Sequence, residues 1–420
     1  MAAQRGNGGS WAVGTAIVRA WLVATLIAAP AFSSRPARAA DLDAPDAREE
    51  EVRRRIQADS AAAAERERQI VADERRVVSA GPLRAAKDLY QKQDFAGAAA
   101  ELEAVIAADP DNPDALLLAG LAHLRLDDPA NAGTRWERFT AVSPDPKLAQ
   151  EIGRYNTIVL HEANLRYAKE AVARERELVA APTSPRAVAV APFRNAGSAE
   201  YAPLGKALAS MLIDNLAPLP GVLVLEREQV NALIEEAKLV GTGLVEKRSA
   251  VRAGKLLRAG RVVAGSHEDW TASPTHLRIE VALVGVDAGS VLASTRTEAP
   301  AAEFYKLIPG VAEEFAGALG QPVERLPAEV RQQIRQTHTR SIQAELLYGQ
   351  ALDALDRKDV DAARDACEKL AAEDPGFSLA KRKCDRVPAA WLTLPAIVAA
   401  VEALILTAAA GAAAGAGIST

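Results

Sequence analysis

Residues 187–193 read AVAVAPF, a short apolar run bounded by prolines. A run of this length and composition is the signature of a buried β-strand. Downstream, residues 200–217 carry Leu204, Leu208, Met211, Leu212 and Leu216 at helical spacing. VLVLE (222–226) then gives a second strand, and residues 228–239 a helix with Val230, Leu233, Ile234 and Leu239. Gly241-Thr-Gly243 breaks that helix, and another follows over 247–258. GRVVAGS (260–266), THLRIEVALVGV (275–286) and SVLASTRTEA (290–299) are three more strands. The last two are separated by Asp287-Ala-Gly289, whose aspartate and glycine suit a hairpin turn. A helix over about 303–319 closes the block. The order β-α-β-α-α-β-β-β-α predicts one mixed α/β domain at 186–320, with sheet and helices in two or three layers.

On the N-terminal side the pattern becomes helical and repeats itself. Asp109-Pro110 and Ser143-Pro144 lie 34 residues apart. At matching offsets Ala86 corresponds to Gly120, Ala98 to Ala132 and Leu102 to Trp136. Small residues at those places let antiparallel helices approach closely, and the proline stops the second helix. The 34-residue period resembles the tetratricopeptide repeat, with Leu89 and His123 where that family places aromatics. Residues 147–180, with Leu148, Ile152, Tyr155, Val159, Leu165 and Val172, continue as a long helix suited to cap the repeats, which thus cover 80–180. Ala181-Pro-Thr-Ser-Pro185 reads as a linker into the α/β block. A further copy falls at 341–377, where Ala351, Ala363 and Asp374-Pro375 occupy the same offsets, so a helical hairpin is expected over 340–387. The fold class is therefore a multi-domain α+β chain, its central domain flanked by tetratricopeptide-like hairpins. So few repeats lack independent stability and are expected to pack on their neighbours.

The central block also carries an ordered set of motifs. Glu226-Arg227 follows the second strand, Gly241 and Gly243 flank a turn, Gly254-Lys255-Leu256-Leu257 sits on a helix, and Gly265-Ser266 ends a strand. In this order the block resembles the curli production assembly/transport component (CsgG) family, over about a third of the chain. The resemblance implies envelope work without catalysis, since the best-known members are outer-membrane lipoproteins that form a ring-shaped secretion channel. This chain departs from them in lacking a cysteine near its N-terminus to carry lipid. Its strands are also all claimed by the core sheet, which leaves none for a membrane barrel.

Residues 1–40 contain Arg5, Arg19, Arg35 and Arg38 and no acidic residue. A 13-residue apolar core, AWLVATLIAAPAF (20–32), precedes Ala37-Arg38-Ala39. This is the layout of a secretory signal peptide cut after Ala39 or Ala40. The core is too short for a bilayer span, which takes about 20 residues. Residues 41–79 read as a charged helix. Val52, Ile56, Ala63, Ile70 and Val77 fit a heptad, but Asp59, Arg66 and Asp73 share its seam. A weak coiled coil and a solvated helix held by Glu–Arg pairs both satisfy that pattern.

The C-terminal segment 388–420 is apolar and rich in alanine and glycine. Residues 396–418 are long enough to span a bilayer, and Gly411 and Gly415 form a GxxxG. Glu402 in the run and Lys381, Arg382, Lys383 and Arg386 before it oppose a span. The reading adopted is membrane association through residues 389–418; the alternative is an apolar helix packed on the repeats or on another subunit.

Across 420 residues, 50 basic and 55 acidic side chains give a net charge of −5. Removal of the signal peptide makes the chain four charges more negative. Neither a polybasic nucleic-acid binder nor a strongly acidic disordered tail fits that balance. Two cysteines, Cys367 and Cys384, exclude a disulfide-dense scaffold and a four-cysteine zinc site. In an exported chain they form either a disulfide or two buried thiols.

Catalytic and ligand motifs are weak. Gly254-Lys255 has Ser249 where a phosphate loop needs glycine, and Leu256 where it needs Ser or Thr. His161-Glu162 has Leu165 in place of the second metal ligand of a zincin helix. The histidines His123, His161, His267, His276 and His338 are scattered. His267 and His276 are a minor candidate for a metal pair; solvated strand-end residues are the favoured reading. Glu226-Arg227-Glu228 suits an internal charge pair at a strand–helix junction. The chain is accordingly expected to be a non-enzymatic periplasmic assembly or scaffolding protein without cofactor or metal. Its partners would be envelope proteins or further copies of itself, and not nucleic acid. The alternative is a membrane-associated component of a curli-like export apparatus.

Overall fold

The computed structural model describes residues 47–239, 247–270 and 275–416. The expected signal peptide with Ala39 and Ala40, and the glycines Gly241 and Gly243, lie outside the described residues. The chain divides into two compact units, Met1–Glu67 and Arg68–Thr420, and everything below concerns the second.

The repeats are built from α1 (Ala47–Gln91), α2 (Phe95–Ala108), α3 (Pro113–Arg125), α4 (Pro129–Val142) and α5 (Pro146–Ala173), with a short α6 (Glu175–Ala180). Pro82 lies inside α1 without ending it, so the expected boundary at 79/80 is not a break in the helix. The helices α2 to α5 each start on a side-chain cap: Asp94, Asn112, Asp128 and Asp145 accept backbone N–H groups of the first turn. Pro113, Pro129 and Pro146 stand in the first turn, where a missing N–H costs nothing. Gln93 and Asp127, 34 residues apart, both take positive φ (63° and 57°) to turn the chain between helices. Gly120 leaves room for the fully buried Trp136 ring, whose Nε1–H donates to the Leu117 carbonyl at 3.1 Å.

The central sheet contains β1 (Ser184–Val190), β2 (Arg194–Asn195), β3 (Leu223–Val224), β4 (Ala259–Trp270), β5 (His276–Gly285) and β6 (Ser290–Pro300). Its order is β3-β1-β4-β5-β6, with β2 beside β4. β3, β1 and β2 run parallel to their partners, whereas β4, β5 and β6 form an antiparallel meander. Gly289, at φ +55°, makes the turn between β5 and β6.

Alternation along β1 sends its side chains to two different cores. Val188 and Val190 face α7 (Leu204–Leu216) and α10 (Leu307–Ala318). Ala187 and Ala189 face α8 (Arg227–Glu236) and α9 (Lys247–Leu257). The packing is therefore three-layered. Gly254 on α9 lies directly over Val262 and Val286, where a Cβ would clash.

The second core reaches beyond the expected domain boundary. Ala168 and Ala171 of α5 are buried with the α8–α9 layer, and Tyr167 donates to the Leu256 carbonyl at 3.0 Å. The proline-rich 181–185 segment is not a free linker: β1 already begins at Ser184, and Thr183 Oγ1 donates to Asp287 at 2.8 Å.

After α11 (Ala328–Ile334), a hairpin of α12 (Ile342–Asp356) and α13 (Val360–Glu373) leads to α14 (Ser378–Cys384). The hairpin reproduces the repeat turn: Lys358 takes positive φ (63°) and Asp359 caps α13. Its apolar face joins the core of the central domain through Leu346, Leu347 and Tyr348. Cys367 and Cys384 form a disulfide that ties α13 to α14.

The last helix, α15 (Leu394–Ala416), packs on the repeats through Ile397, Val398 and Val401. The packed-helix alternative thus replaces the bilayer span considered over residues 396–418. Among the described residues no helix is long and apolar enough to cross a membrane. The physical reason is Glu402. Its carboxylate accepts from Tyr90 Oη at 2.6 Å and from Arg125 Nη2 at 2.7 and 2.8 Å, a partnership that hydrocarbon cannot offer.

Candidate interaction site

The site is built around the turn from β3 into α8. Leu225 N–H extends the β3–β1 pairing to the Val188 carbonyl at 2.8 Å, and Glu226 is still extended at φ −61°, ψ 137°. Arg227 therefore opens α8 with its side chain directed inward, only 3% exposed. A buried guanidinium is tolerated only when paired and hydrogen-bonded. Its Nη1 and Nη2 grip both oxygens of Asp356 at 2.8 and 2.9 Å, and Nη2 also reaches Glu228 at 3.2 Å.

The pair is part of a wider network. Asp356 also accepts from Lys206 Nζ at 2.8 Å and from Asn231 Nδ2 at 3.1 Å. Glu228 accepts from Lys383 Nζ at 2.9 Å. Burial disfavours ionisation of the Asp356 carboxyl, but Arg227 and Lys206 outweigh it and hold the group below the usual carboxylate range. The same contest, with Lys383 and Arg227 as the winning charges, depresses Glu228. Arg227 belongs to α8, Lys206 to α7, Asp356 to α12 and Lys383 to α14. A single set of charges thus joins the central domain to the C-terminal hairpin.

Beside the network lies an open cleft of about 790 Å³. Its walls come from α4 and α5 (Glu137, Gln150), α7 (Asp214), the β3–α8 turn (Glu226) and the α14 region (Arg382, Arg386). Ion pairs bridge its edges. Arg386 Nη1 donates to both oxygens of Glu137 at 2.8 Å, and Arg382 Nη2 to Asp214 at 3.0 Å. Thr157 Oγ1 donates to the Arg386 carbonyl at 3.0 Å. Glu226 lines the cleft, and among the described residues its carboxylate accepts no hydrogen bond. Desolvation by the surrounding walls, with Glu228 beside it, raises this carboxyl above its usual range.

The other motif positions serve packing. Lys255 Nζ pairs with Asp287 at 2.6 Å, and Ser266 is buried in β4 opposite Glu280. Gly265 lies against the Glu280 carbonyl, leaving no room for a Cβ. The two histidines read as solvated strand-end residues or a metal pair differ in setting: His276 is partly exposed, whereas His267 is not. His267 is buried, 1% exposed, and burial lowers its pKa to about 4. His267 lies opposite Ile279, while His276 lies opposite Trp270 and stacks on it at 5.3 Å. Among the described residues no group of three metal-ligating side chains exists.

Residues 168–272 match the family model for curli production assembly/transport component CsgG. A tetratricopeptide repeat model matches residues 83–144. The CsgG match begins inside α5, where that helix joins the α8–α9 core, and not at the proline-rich segment. No curated protein and no solved structure gives a significant match to the chain. The two matches mark a CsgG-like region and a tetratricopeptide-like region, and together they cover less than half of the chain.

The sequence places Arg227 in a local charge pair, which its contact with Glu228 at 3.2 Å matches, but the distant partners are not legible. Asp356 is 129 residues away and Lys383 is 155 residues from Glu228, and nothing local to either position marks it. The one available signal was Arg227 itself, a charge at the head of an otherwise apolar helix face.

Proposed function

We propose that this chain is a non-enzymatic scaffolding protein of the periplasm that binds envelope proteins through its CsgG-like domain and its repeats. The observation that carries the reading is the composite cleft, walled by both matched regions and by the α14 segment. Arg386, Arg382, Lys383 and Arg227 are each committed to an acidic partner that holds elements together. Groups so engaged shape a contact surface and are not poised for proton transfer. The Cys367–Cys384 disulfide supports an oxidising compartment, in keeping with the expected signal peptide.

Fractionation combined with cross-linking tests this. The mature chain should appear in the periplasmic fraction with a reduced mass that fits cleavage after Ala39 or Ala40. It should cross-link to a reproducible set of envelope proteins. An uncleaved cytoplasmic chain with no adducts would overturn the proposal.

A further inference from the structure

The repeats do not present an empty groove. In a solenoid the first helices of successive repeats line the concave face used for binding. Here α15 touches that row, contacting α3 and α5 and reaching Tyr90 at the end of α1. Ile397, Val398 and Val401 are buried, at 0, 3 and 0% exposure. One turn on, Glu402 is read by two donors from two different helices, Tyr90 Oη and Arg125 Nη2. Burial and then the Glu402 carboxylate raise the Tyr90 phenol to about 12, which keeps it a donor.

The occupancy is incomplete. Past Glu402 the contact thins to a partly buried Ile405, and Leu406 is 71% exposed. A hollow of about 640 Å³ runs alongside, lined by Tyr90, Phe95, Leu117, Leu121 and Arg125 on the repeat side. The groove is thus wider than the helix that lies in it.

We infer that this concave groove recognises an apolar helix with a carboxylate directly after its third anchor, and that α15 holds the place in cis until a partner helix of the same chemistry displaces it. The seated segment states the requirement: apolar side chains at positions i, i+1 and i+4 and a carboxylate at i+5, as in Ile397, Val398, Val401 and Glu402. Arg125 and Tyr90 supply the selectivity, since a helix without the carboxylate leaves both donors facing an unmatched surface. The inference rests on the reading of the repeats as a protein-binding module and adds to it the partner's chemistry.

A labelled synthetic peptide of residues 391–408 is the probe, titrated by fluorescence anisotropy against the full mature chain. A Val401→Asp/Glu402→Arg double variant ejects the native helix and should bind the peptide at least tenfold more tightly than the unaltered chain. Adding Arg125→Ala to that variant, or Glu402→Gln in the peptide, should weaken binding by about tenfold, the scale of one lost charge-assisted hydrogen bond. Equal binding by the released and unaltered chains, or binding indifferent to Arg125 and to the peptide carboxylate, overturns the inference. Should the double variant fail to fold, amide exchange of the unaltered chain decides: saturating peptide should speed exchange in 394–406 and slow it in α3. No change in either segment overturns the inference. Failure here with envelope cross-links intact would leave the scaffolding reading standing.

Discussion

Replacing Asp356 with alanine removes the acceptor that three donor side chains share. Arg227 loses both of its bidentate contacts and keeps only Glu228 at 3.2 Å, yet stays buried. Lys206 retains Asp353 at 2.8 Å, and Asn231 retains Glu235 at 3.0 Å, so the deficit falls on the guanidinium. Breaking a buried ion pair while leaving one charge behind costs about 3–5 kcal/mol. Urea unfolding of the oxidised protein, followed by tryptophan fluorescence, should show that loss for Asp356→Ala. An Arg227→Met/Asp356→Leu double variant should recover most of it, because no unpaired charge remains. The pH dependence has a definite sign. The folded pKa of Asp356 lies below its unfolded value of about 3.9, so its contribution is fully present above that value and is lost as pH falls through the folded pKa. The difference between wild type and Asp356→Ala should therefore be constant near neutrality and shrink in acid. A loss under about 1 kcal/mol at pH 7, or a difference that grows in acid, would refute the buried-network argument.

Other consequences are measured in the same way. Cys367→Ser/Cys384→Ser should lower stability by about 3 kcal/mol, the chain-entropy scale for a loop of this size, and wild type should lose as much in reductant. Glu345 is fully buried, neither of its oxygens has a partner, and burial raises its pKa well above the usual range. Glu345→Met should therefore stabilise the fold by about 1–3 kcal/mol at pH 7. The gain should shrink as pH falls through the unfolded carboxyl's pKa of about 4.3 and level off at the cost of the unpartnered neutral carboxyl. Gly254→Val should cost about 1–3 kcal/mol or more by overpacking against Val262 and Val286, whereas the same change at Gly310, with open space around it, should be neutral or slightly stabilising, because valine is a better helix former than glycine.

Much of the fold was legible because its signals are local. The five principal strands announced themselves through apolar runs and alternation, and Asp287-Ala-Gly289 marked the hairpin that Gly289 makes. The repeats were legible from small residues that structure explains as helix contacts, Gly120 beneath Trp136 being the clearest. What stayed hidden depends on distant partners. The two-residue β2 exists only because β4 runs beside it. The prolines at 182 and 185 read as a linker, although β1 pairs with β4 from Ser184 onward. His267 sits near a strand end, where exposure was the natural reading, but its neighbours bury it. Glu402 counted only as a cost within an apolar tail, because Tyr90 and Arg125 lie 312 and 277 residues away. The cleft is of the same kind: Glu226 was singled out by its motif, but the wall opposite it comes from helices more than sixty residues away in the chain.

In the proposed function the cleft between the repeats and the CsgG-like domain is the surface that binds envelope proteins. A photo-activatable residue placed at Gln150, on the cleft wall, and another at Gly310, away from it, test that claim in intact cells. Position 150 should give discrete, reproducible adducts with envelope proteins or with a second copy, and position 310 none of the same adducts. Identical patterns from both positions, or no protein adduct from position 150, would contradict it.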